Sequence, residues 1–355
     1  MNRQLGRQSL RFEEAPFLFS YASIGSGREE EGPLGEAFDA VCEDGKFGEK
    51  TWEESESTMQ KEALTLAIGK AGMKRDAIRY LFAGDLLGQT MASAFGLKDM
   101  QIPWFGVYGA CSTSGETLSL ASMSVAAGYA DTAAAVTSSH FGSAEKQFRF
   151  PLEYAQQRPV SSTWTVTGSG AFLLGTQAAY EEACEYRKKA DKKRAGVHAI
   201  RVSGVTTGKM VDYGIKDSMN MGAAMAPAAC DTIVSHLQDF GRQPSDYDAI
   251  VTGDLGKVGK EILLHLAEEQ GFQLERQHED CGLLIYDCEK QETDSGGSGC
   301  GCSAVTLANH YLPSLENGLL KRILFVPTGA LISKISFNQG LSIPGIAHAV
   351  VIEAE

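Results

Sequence analysis

The sequence predicts an α/β protein made of two similar halves, and matching segments carry this prediction. "KEALTLAIGKAGMKRDAIRYLFAGDL" from Lys61 and "ACDTIVSHLQDFGRQPSDYDAIVTGDL" from Ala229 each indicate an amphipathic helix that ends at a glycine, followed by a strand that ends in Gly-Asp-Leu. Further along each half, a run of small residues precedes a second helix and a second strand. Because a repeated order of elements indicates duplication, we expect an N-terminal half at residues 1–210 and a C-terminal half at residues 211–355.

In the first half, the first helix ends at Gly72 and residues 78–83 form a buried strand. The segment "YGACSTSGETLSLASMSVAAGYADTAAAVTSS" then indicates a small-residue turn at Cys111, a helix that stops at Gly128, and a strand from Ala133. "SGAFLLGT" and "HAIRVSGVTT" are predicted as a strand pair that closes this half. The charged "YEEACEYRKKADKKRAG" between them is expected to be a solvated surface excursion.

The second half follows the same order. Its first helix ends at Gly241, "AIVTGD" is the next strand, and "GGSGCGCSA" is the small-residue turn before a helix that stops at Gly318. A strand from Arg322 follows. "CGLLIYD" and "IAHAVVIE" are predicted as further strands, and "CEKQETDSGGSG" as a loop. Two βαβαβ-type halves predict mostly parallel, buried strands with helices on the sheet faces.

Composition excludes several classes of function. The formal net charge of −13 disfavours nucleic acid and anionic lipid as partners of a broad surface, and a small anionic ligand would need a locally positive pocket. No apolar run is long enough to span a bilayer, and the N-terminal segment lacks the apolar core of a signal peptide. The eight cysteines include no CxxC pair, so a reduced compartment is expected. No metal is expected, because "CGC" has no second Cys/His pair at ligand spacing.

Cys111 is the residue whose position most clearly indicates chemical reactivity. The N-terminus of a helix lowers the pKa of a thiol and supplies backbone N–H donors for an oxyanion, so Cys111 could carry an acyl group. Such an enzyme also needs a base and a polarising group. The alternative is that Cys111 is an unreactive small residue in a pocket that binds a ligand without turnover.

Five segments carry a resemblance to a known superfamily: "GACSTSGETLSLASMSVAAGYADTAAAV", "TGSGAFLLG", "NMGAAMAPAACDTI", "GGSGCGCSA" and "PTGAL". With a cysteine at the strand-to-helix turn of the first half, they resemble the thiolase and ketoacyl-ACP synthase superfamily. Within it, the chain most resembles the stage V sporulation protein AD family of endospore formers, over nearly its whole length. The resemblance implies a thiolase-like duplicated fold in five layers, α-β-α-β-α.

The resemblance also implies a function. The family is implicated in moving dipicolinic acid (pyridine-2,6-dicarboxylate) into the developing spore, and it is regarded as a ligand-binding rather than a catalytic branch. In the related enzymes, the catalytic His and Asn come from loops that read "GDLGKVGK" and "GGSGCGCSA" here, and neither loop contains His or Asn. We therefore expect no catalytic residues, with Cys111 in the position of the nucleophile. No cofactor is expected, and calcium only as part of a ligand chelate.

The expected ligand-binding residues are small polar residues at strand ends, glycine-turn residues, and a few charged or amide side chains. His140 follows a strand end where sites collect in open sheets, although it could equally be a histidine bonded to its neighbours. Lys209 is exposed by default, and Trp164 offers a stacking surface. The full set is Cys111, Ser112, Thr113, Ser139, His140, Ser161, Ser162, Thr163, Lys209, Asn220, Thr328 and Gly329.

Several partners follow from the resemblance. We expect a homodimer in which the strand "TAAAVTSS" pairs with its symmetry mate, and association with the other proteins of a transport system at the spore inner membrane. Two alternative functions stay open. One is an acyl-CoA or acyl-ACP condensing or acyl-transfer enzyme that uses Cys111, and the other is a scaffold of a membrane transport complex whose pocket is a relic.

Overall fold

The computed structural model describes residues 3–148, 158–190 and 197–355. The strands are β1 (Arg3–Leu5), β2 (Ser9–Arg11), β3 (Phe17–Ser26), β4 (Ala40–Cys42), β5 (Tyr80–Gly84), β6 (Trp104–Gly106), β7 (Thr132–Ser139), β8 (Trp164–Thr165), β9 (Gly168–Gly175), β10 (Ile200–Thr206), β11 (Ala249–Thr252), β12 (His278–Asp280), β13 (Gly297–Ser298), β14 (Arg322–Val326), β15 (Thr328–Ala330), β16 (Gly345–Ala347) and β17 (Ala349–Ala354). The helices are α1 (Gly27–Glu30), α2 (Trp52–Ala71), α3 (Met91–Leu97), α4 (Thr113–Ala126), α5 (Phe141–Phe148), α6 (Gln177–Ala190), α7 (Met221–Phe240), α8 (Gly256–Glu269), α9 (Cys281–Ile285), α10 (Cys300–Thr306), α11 (Leu312–Glu316) and α12 (Lys334–Asn338).

The main strands in these residues form two five-stranded halves with the same topology. The first has the order β6-β5-β7-β9-β3 and the second the order β12-β11-β14-β17-β10. In each half, two parallel pairings are followed by two antiparallel ones. The halves are joined by a single residue pair, Arg201 with Phe17. The duplication predicted from the sequence is therefore confirmed, whereas the expectation of mostly parallel strands is wrong, because two of the four pairings in each half are antiparallel.

The helices complete a five-layer arrangement. Helices α4 and α10 lie between the two sheets, and α4 contacts strands of both. Helix α2 covers the outer face of the first sheet, while α7 packs on the second, with α8 against it. Three buried apolar clusters fill the spaces between these layers. The thiolase-like fold expected from the resemblance is confirmed.

The two small-residue turns adjoin at the centre of the molecule. The hydroxyl oxygens of Ser114, at the start of α4, and Ser303, in α10, are 2.6 Å apart and share a hydrogen bond. Asp85 follows β5 and Asp254 follows β11, which are equivalent strands in the two halves. The predicted match between the Gly-Asp-Leu motifs is therefore confirmed, and the residues after these strands lie near both turns.

Three further details of the sequence analysis were wrong. "CGLLIYD" is not a strand: the strand ends at Asp280, whose carboxylate accepts hydrogen bonds from the backbone of Leu255 and Gly256, and helix α9 follows. "SGAFLLGT" and "HAIRVSGVTT" do not form a strand pair: β9 lies between β3 and β7 of the first half, whereas β10 pairs with β17 and belongs to the sheet of the second half.

The third concerns dimerisation. Strand β7 is "TAAAVTSS", and both of its edges are occupied, by β5 and by β9. It therefore cannot pair with a symmetry mate. The outermost strand of this half is β6, where the side chains of Trp104 and Phe105 are exposed to solvent.

Candidate functional site

A cavity of about 20 Å³ lies beside Cys111, with walls from both halves of the chain. This is room for a single water molecule. Strand β8 runs parallel to β13 and aligns Thr165 with Ser298 in the cavity wall. The lining consists of Leu86, Ala110, Cys111, Glu145, Ser162, Thr163, Thr165, Ser218, Met219, Met221, Ser298 and Ala330.

A strained turn places Cys111 at this cavity. Ala110 has a φ of 51°, in the left-handed region that residues other than glycine rarely adopt. The N–H groups of Ser112 and Thr113 donate within the turn, to the carbonyls of Gly109 and Ala110 over 3.1 and 3.2 Å. These two amides are therefore engaged by the protein itself.

Cys111 has a carboxyl partner that the sequence analysis did not assign. This partner is Asp254, a buried residue of the second half that acts on the thiol electrostatically. Burial, followed by the charge of Asp254, raises the pKa of the Cys111 thiol well above its usual value. Burial also raises the pKa of Asp254, to about 7. The Gly-Asp-Leu repeat marked Asp254, but nothing in one strand end shows that its charge acts on a cysteine in the other half.

Asp85 is the residue of the first half that corresponds to Asp254, and its side chain bonds to residues of the first half. Asp85 accepts hydrogen bonds from the backbone of Leu87 and Ser93, each over 2.8 Å, and from the Ser93 hydroxyl over 2.6 Å. Burial raises its pKa as well. Asp85 therefore fixes the segment that leads into helix α3, whereas Asp254 accepts hydrogen bonds from Gly299 and Thr328.

Of the residues predicted to bind ligand, Cys111, Ser162 and Thr163 line the cavity. The Ser162 hydroxyl donates to the carbonyl of Pro159 over 2.9 Å, so its oxygen is left as an acceptor. Ser161, the next residue along the chain, donates to the carbonyl of Met219 over 3.1 Å. This bond ties the segment before α7 to the cavity wall.

Several other residues that were predicted to bind ligand lie behind the cavity, where they form hydrogen bonds or close contacts with the protein itself. The hydroxyls of Ser112 and Thr113 donate to the turn carbonyls, and that of Ser139 donates to the carbonyl of Val166. Thr328 donates to Asp254 over 2.8 Å, and Gly329 packs so closely that a Cβ would lie 2.3 Å from the carbonyl oxygen of Gly109. These residues shape the wall through their contacts with the protein.

His140 is hydrogen-bonded to its neighbours, which was the alternative to a ligand contact. Its Nε2 lies 2.9 Å from the carbonyl oxygen of Gly45, and its Nδ1 accepts from the backbone of Gly142 over 3.0 Å. Burial lowers the pKa of the imidazole, so the neutral ring is favoured. The ring also packs against Trp52.

Lys209 and Asn220 do not line the cavity. The ammonium of Lys209 pairs with Asp231 over 2.9 Å and its side chain is 59% exposed. The side chain of Asn220 caps helix α7 by accepting from the backbone of Ala223. Charged and amide residues near a loop are usually solvated or used in caps, which accounts for both outcomes.

The residues that the sequence analysis missed include a carboxyl group. Glu145 lines the cavity and accepts hydrogen bonds from the backbone and the hydroxyl of Thr165. Met219 and Met221 provide flexible apolar walls. Among the described residues, the lining contains no Lys, Arg or His. No group of three or more His, Cys, Asp or Glu in the described ranges is placed to hold a metal ion.

Cys300 and Cys302 have structural roles. Both are fully buried, and their thiols point to the carbonyls of Ser138, at 3.0 Å, and Gly253, at 3.7 Å. Gly299, just before them, has a φ of 104°, which only glycine adopts without strain. Its N–H donates to Asp254 over 2.9 Å. The turn therefore supplies one of the donors that orient this carboxyl group.

Sequence comparison gives two matches over nearly the whole chain. Residues 6–353 match the family described as "Stage V sporulation protein AD (SpoVAD)". The chain is 41% identical to stage V sporulation protein AD of Bacillus subtilis (strain 168) over 348 residues, which cover 98% of this chain and 97% of that protein.

Three solved structures share the fold. The tetronic acid condensing enzyme AbyA1 has a TM-score of 0.57 at 15% identity, covering 95% of this chain and 99% of that one. Cerulenin-bound OleA from Xanthomonas campestris gives 0.55 at 14% identity, covering 96% and 98%. The 3-oxoacyl-[acyl-carrier-protein] synthase III from Aquifex aeolicus gives 0.51 at 12% identity, covering 95% and 99%. At these identities the likeness shows the fold alone.

Proposed function

Since this chain belongs to the stage V sporulation protein AD family, we propose that it binds dipicolinic acid in the cavity beside Cys111 and takes part in its uptake into the developing spore. The observation that carries the proposal is the cavity itself, which lies at the nucleophile position and is walled by hydroxyl groups. Among the described residues, neither its lining nor the groups that act on Cys111 include His or Asn. A pocket without these partners is suited to binding rather than acyl transfer.

The ligand requires the cavity to enlarge. A pyridine ring with two carboxylates is several times larger than the single water that the closed cavity holds. The side chains of Met219 and Met221 are the walls best able to move, because an unbranched thioether changes rotamer at little cost. Binding therefore involves displacement of these side chains towards solvent.

The carboxyl group in the pocket lining affects whether dipicolinate binds better as the free dianion or as the calcium chelate. Glu145 contributes a carboxyl group to the lining, and a free dianion would approach it at close range. A calcium ion that arrives chelated to dipicolinate would neutralise this repulsion. We propose no separate metal site and no cofactor.

Calorimetric titration with dipicolinate, with and without calcium, tests the proposal. We expect saturable binding with one ligand per chain, and much weaker binding of pyridine-3,5-dicarboxylate, whose ring nitrogen does not lie between the two carboxylates and which therefore cannot chelate calcium in the same way. Absence of saturable binding in both titrations would contradict the proposal and favour the scaffold alternative.

One observation favours a second candidate function, acyl transfer. The strained φ of Ala110 presents Cys111 to a cavity at the start of a helix, as a nucleophile requires. Incubation with acyl-CoA followed by mass spectrometry distinguishes the two functions. A stable acyl adduct on Cys111 would support the enzyme, and its absence would support binding without turnover.

We propose that the partners are a second copy of this chain and the other proteins of the spore membrane transport system. Strand β6 supports the homodimer, because an outer strand with exposed aromatic side chains is otherwise a liability. None of the helices within residues 3–148, 158–190 and 197–355 combines the length and hydropathy of a bilayer-spanning segment. Association with the spore inner membrane is proposed as peripheral, through those partner proteins.

A further inference from the structure

A second cavity adjoins the one beside Cys111 and opens to solvent. It is a cleft of about 330 Å³, far larger than the enclosed cavity of about 20 Å³. The side chain of Leu86 lines both spaces and is only 3% exposed, so it forms a shared wall between them. The enclosed cavity therefore has a neighbour whose volume is in the range of small-molecule pockets.

The walls of this cleft suit a flat, negatively charged ligand. The ring of Tyr108 and the side chain of Ile335 provide exposed apolar surface. Gln89 and Gln147 add amide groups that can donate hydrogen bonds. Lys334 is exposed and is the one charged residue among the described residues of the lining. A mostly apolar cleft with two amides and an ammonium matches an aromatic ring that carries carboxylates.

We propose that this cleft is the entry site for a dianionic aromatic ligand, which contacts Lys334 before it passes Leu86 into the cavity beside Cys111. The inference rests on the proposed function, because it takes dipicolinate as the ligand. The chain has a formal net charge of −13, so a dianion needs a local cation where it enters. Glu145 contributes a carboxyl to the inner cavity, whose described lining contains no Lys or Arg. The attraction therefore comes from the cleft.

The shared wall can open through the side chain of Leu86 alone. Leu86 lies between Asp85 and Leu87, and the N–H of Leu87 donates to the carboxyl of Asp85 over 2.8 Å. This hydrogen bond fixes the backbone on both sides of Leu86. A change of rotamer at Leu86 then joins the cleft to the cavity without movement of the strand end.

Helix α12 holds the lysine at the rim of the cleft. The N–H of Ser336 donates to the hydroxyl of Ser333 over 3.1 Å, and the N–H of Ser333 donates to the hydroxyl of Ser336 over 2.9 Å. This reciprocal cap fixes the first turn of the helix, where Lys334 lies. The long, flexible stem of the lysine lets its ammonium follow a ligand inward.

Lys334→Gln is the informative variant, and Lys74→Gln is its matched control. Both remove one positive charge from an exposed side chain, but Lys74 precedes β5, whereas Leu86 and the cleft lie after that strand. Because Lys334 contacts the ligand during passage but not in the cavity, Lys334→Gln should slow association and dissociation by the same factor, roughly three- to tenfold. The affinity should stay nearly unchanged. Lys74→Gln should match the wild type in both rates.

Calorimetry with calcium-free dipicolinate gives the affinity. The dissociation rate is measured by mixing the complex with excess terbium ions, which form a luminescent chelate with dipicolinate as it is released. The association rate constant is the dissociation rate constant divided by the dissociation constant. Added salt should slow association to the wild type more than to Lys334→Gln, because salt screens exposed charges. Leu86→Ala, which thins the shared wall, should raise both rates.

Four results would overturn the inference. If Lys334→Gln matches the wild type in both rates, the entrance lies elsewhere, such as past Met219 and Met221. If its affinity falls while dissociation becomes faster, Lys334 belongs to the final binding site. If Lys74→Gln slows both rates equally, only net charge matters. These three results are obtained with saturable binding in the wild type, whereas absence of that binding would contradict the proposed function as well.

Discussion

The hydroxyl of Ser143 donates a hydrogen bond of 2.6 Å to Oε2 of Glu56 and thereby ties helix α5 to helix α2. Ser138, at the end of β7, donates to Oε1 of the same carboxyl over 2.9 Å. Burial, followed by the charge of Asp85, raises the pKa of Glu56 from 4.5 to about 8. The two hydroxyls only partly oppose this shift. Near neutral pH the folded protein therefore holds a proton that the unfolded chain releases.

This shift predicts that stability falls as the pH rises from about 5 to about 8. A carboxyl with a raised pKa stabilises the protein while it is protonated, and the benefit is lost as the pH approaches the folded value. Glu56→Gln should flatten this part of the profile, whereas Glu62→Gln, at an exposed position of the same helix, should not. Urea midpoints at several pH values measure the effect. Equal slopes in Glu56→Gln and wild type would contradict the prediction.

Substitutions at Cys111 should separate cavity shape from sulfur chemistry. Cys111→Ala removes one thiol from the cavity wall and leaves the backbone of the turn in place, so dipicolinate affinity should fall by no more than about 1–2 kcal/mol. Cys111→Leu adds bulk to a cavity that holds one water and should abolish binding. Calorimetry on both variants, with circular dichroism to verify folding, makes the comparison. Retention of full affinity by Cys111→Leu would place the ligand elsewhere.

Neutralising the carboxyl in the cavity lining should strengthen the binding of a free anion. Glu145→Gln keeps an oxygen that can accept from Thr165 but removes the negative charge, so we expect the affinity for calcium-free dipicolinate to rise. The affinity for the calcium chelate should rise less or fall. Paired titrations with calcium and with a chelator measure the difference. An equal change in affinity in both conditions would show that Glu145 does not interact electrostatically with the ligand.

Dimerisation through strand β6 predicts that a charge at its exposed edge yields a monomer. The side chain of Phe105 is 54% exposed, and Phe105→Lys places an ammonium where two copies of the edge would meet. Tyr129→Lys, at an exposed aromatic elsewhere on the surface, is the control and should stay dimeric. Multi-angle light scattering at micromolar concentration provides the measurement. A dimeric Phe105→Lys variant, or a monomeric wild type, would argue against this interface.

The fold could be predicted because its signals are local and repeated. Glycines with positive φ follow helices α2 and α7, at Gly72 and Gly241, as the sequence indicated for both halves. Strands β7 and β9 consist of apolar and small residues, and all of these residues are buried, as is typical of a strand covered on both faces. The unexpected α9 arises from a long-range contact, in which Asp280 caps the start of another helix. A single sequence does not display such a contact.

The candidate site was harder to predict than the fold. Cys111 was identified because a cysteine at a strand-to-helix turn is unusual. The same reasoning selected hydroxyl residues such as Ser139 and Thr328 without showing which way they point, and both donate to other protein groups. Glu145 and Asp254 were not assigned to the site, because each is brought to it by pairings between distant segments. Side-chain direction depends on those pairings.

The two equivalent carboxyls, Asp85 and Asp254, also indicate how such a molecule diverges after gene duplication. Asp85 accepts hydrogen bonds from Leu87 and Ser93 of its own half, whereas Asp254 accepts from Gly299 in the second small-residue turn and from Thr328. The order of strands is the same in both halves. Residues at strand ends can therefore change their partners in one half while the architecture of both halves is kept.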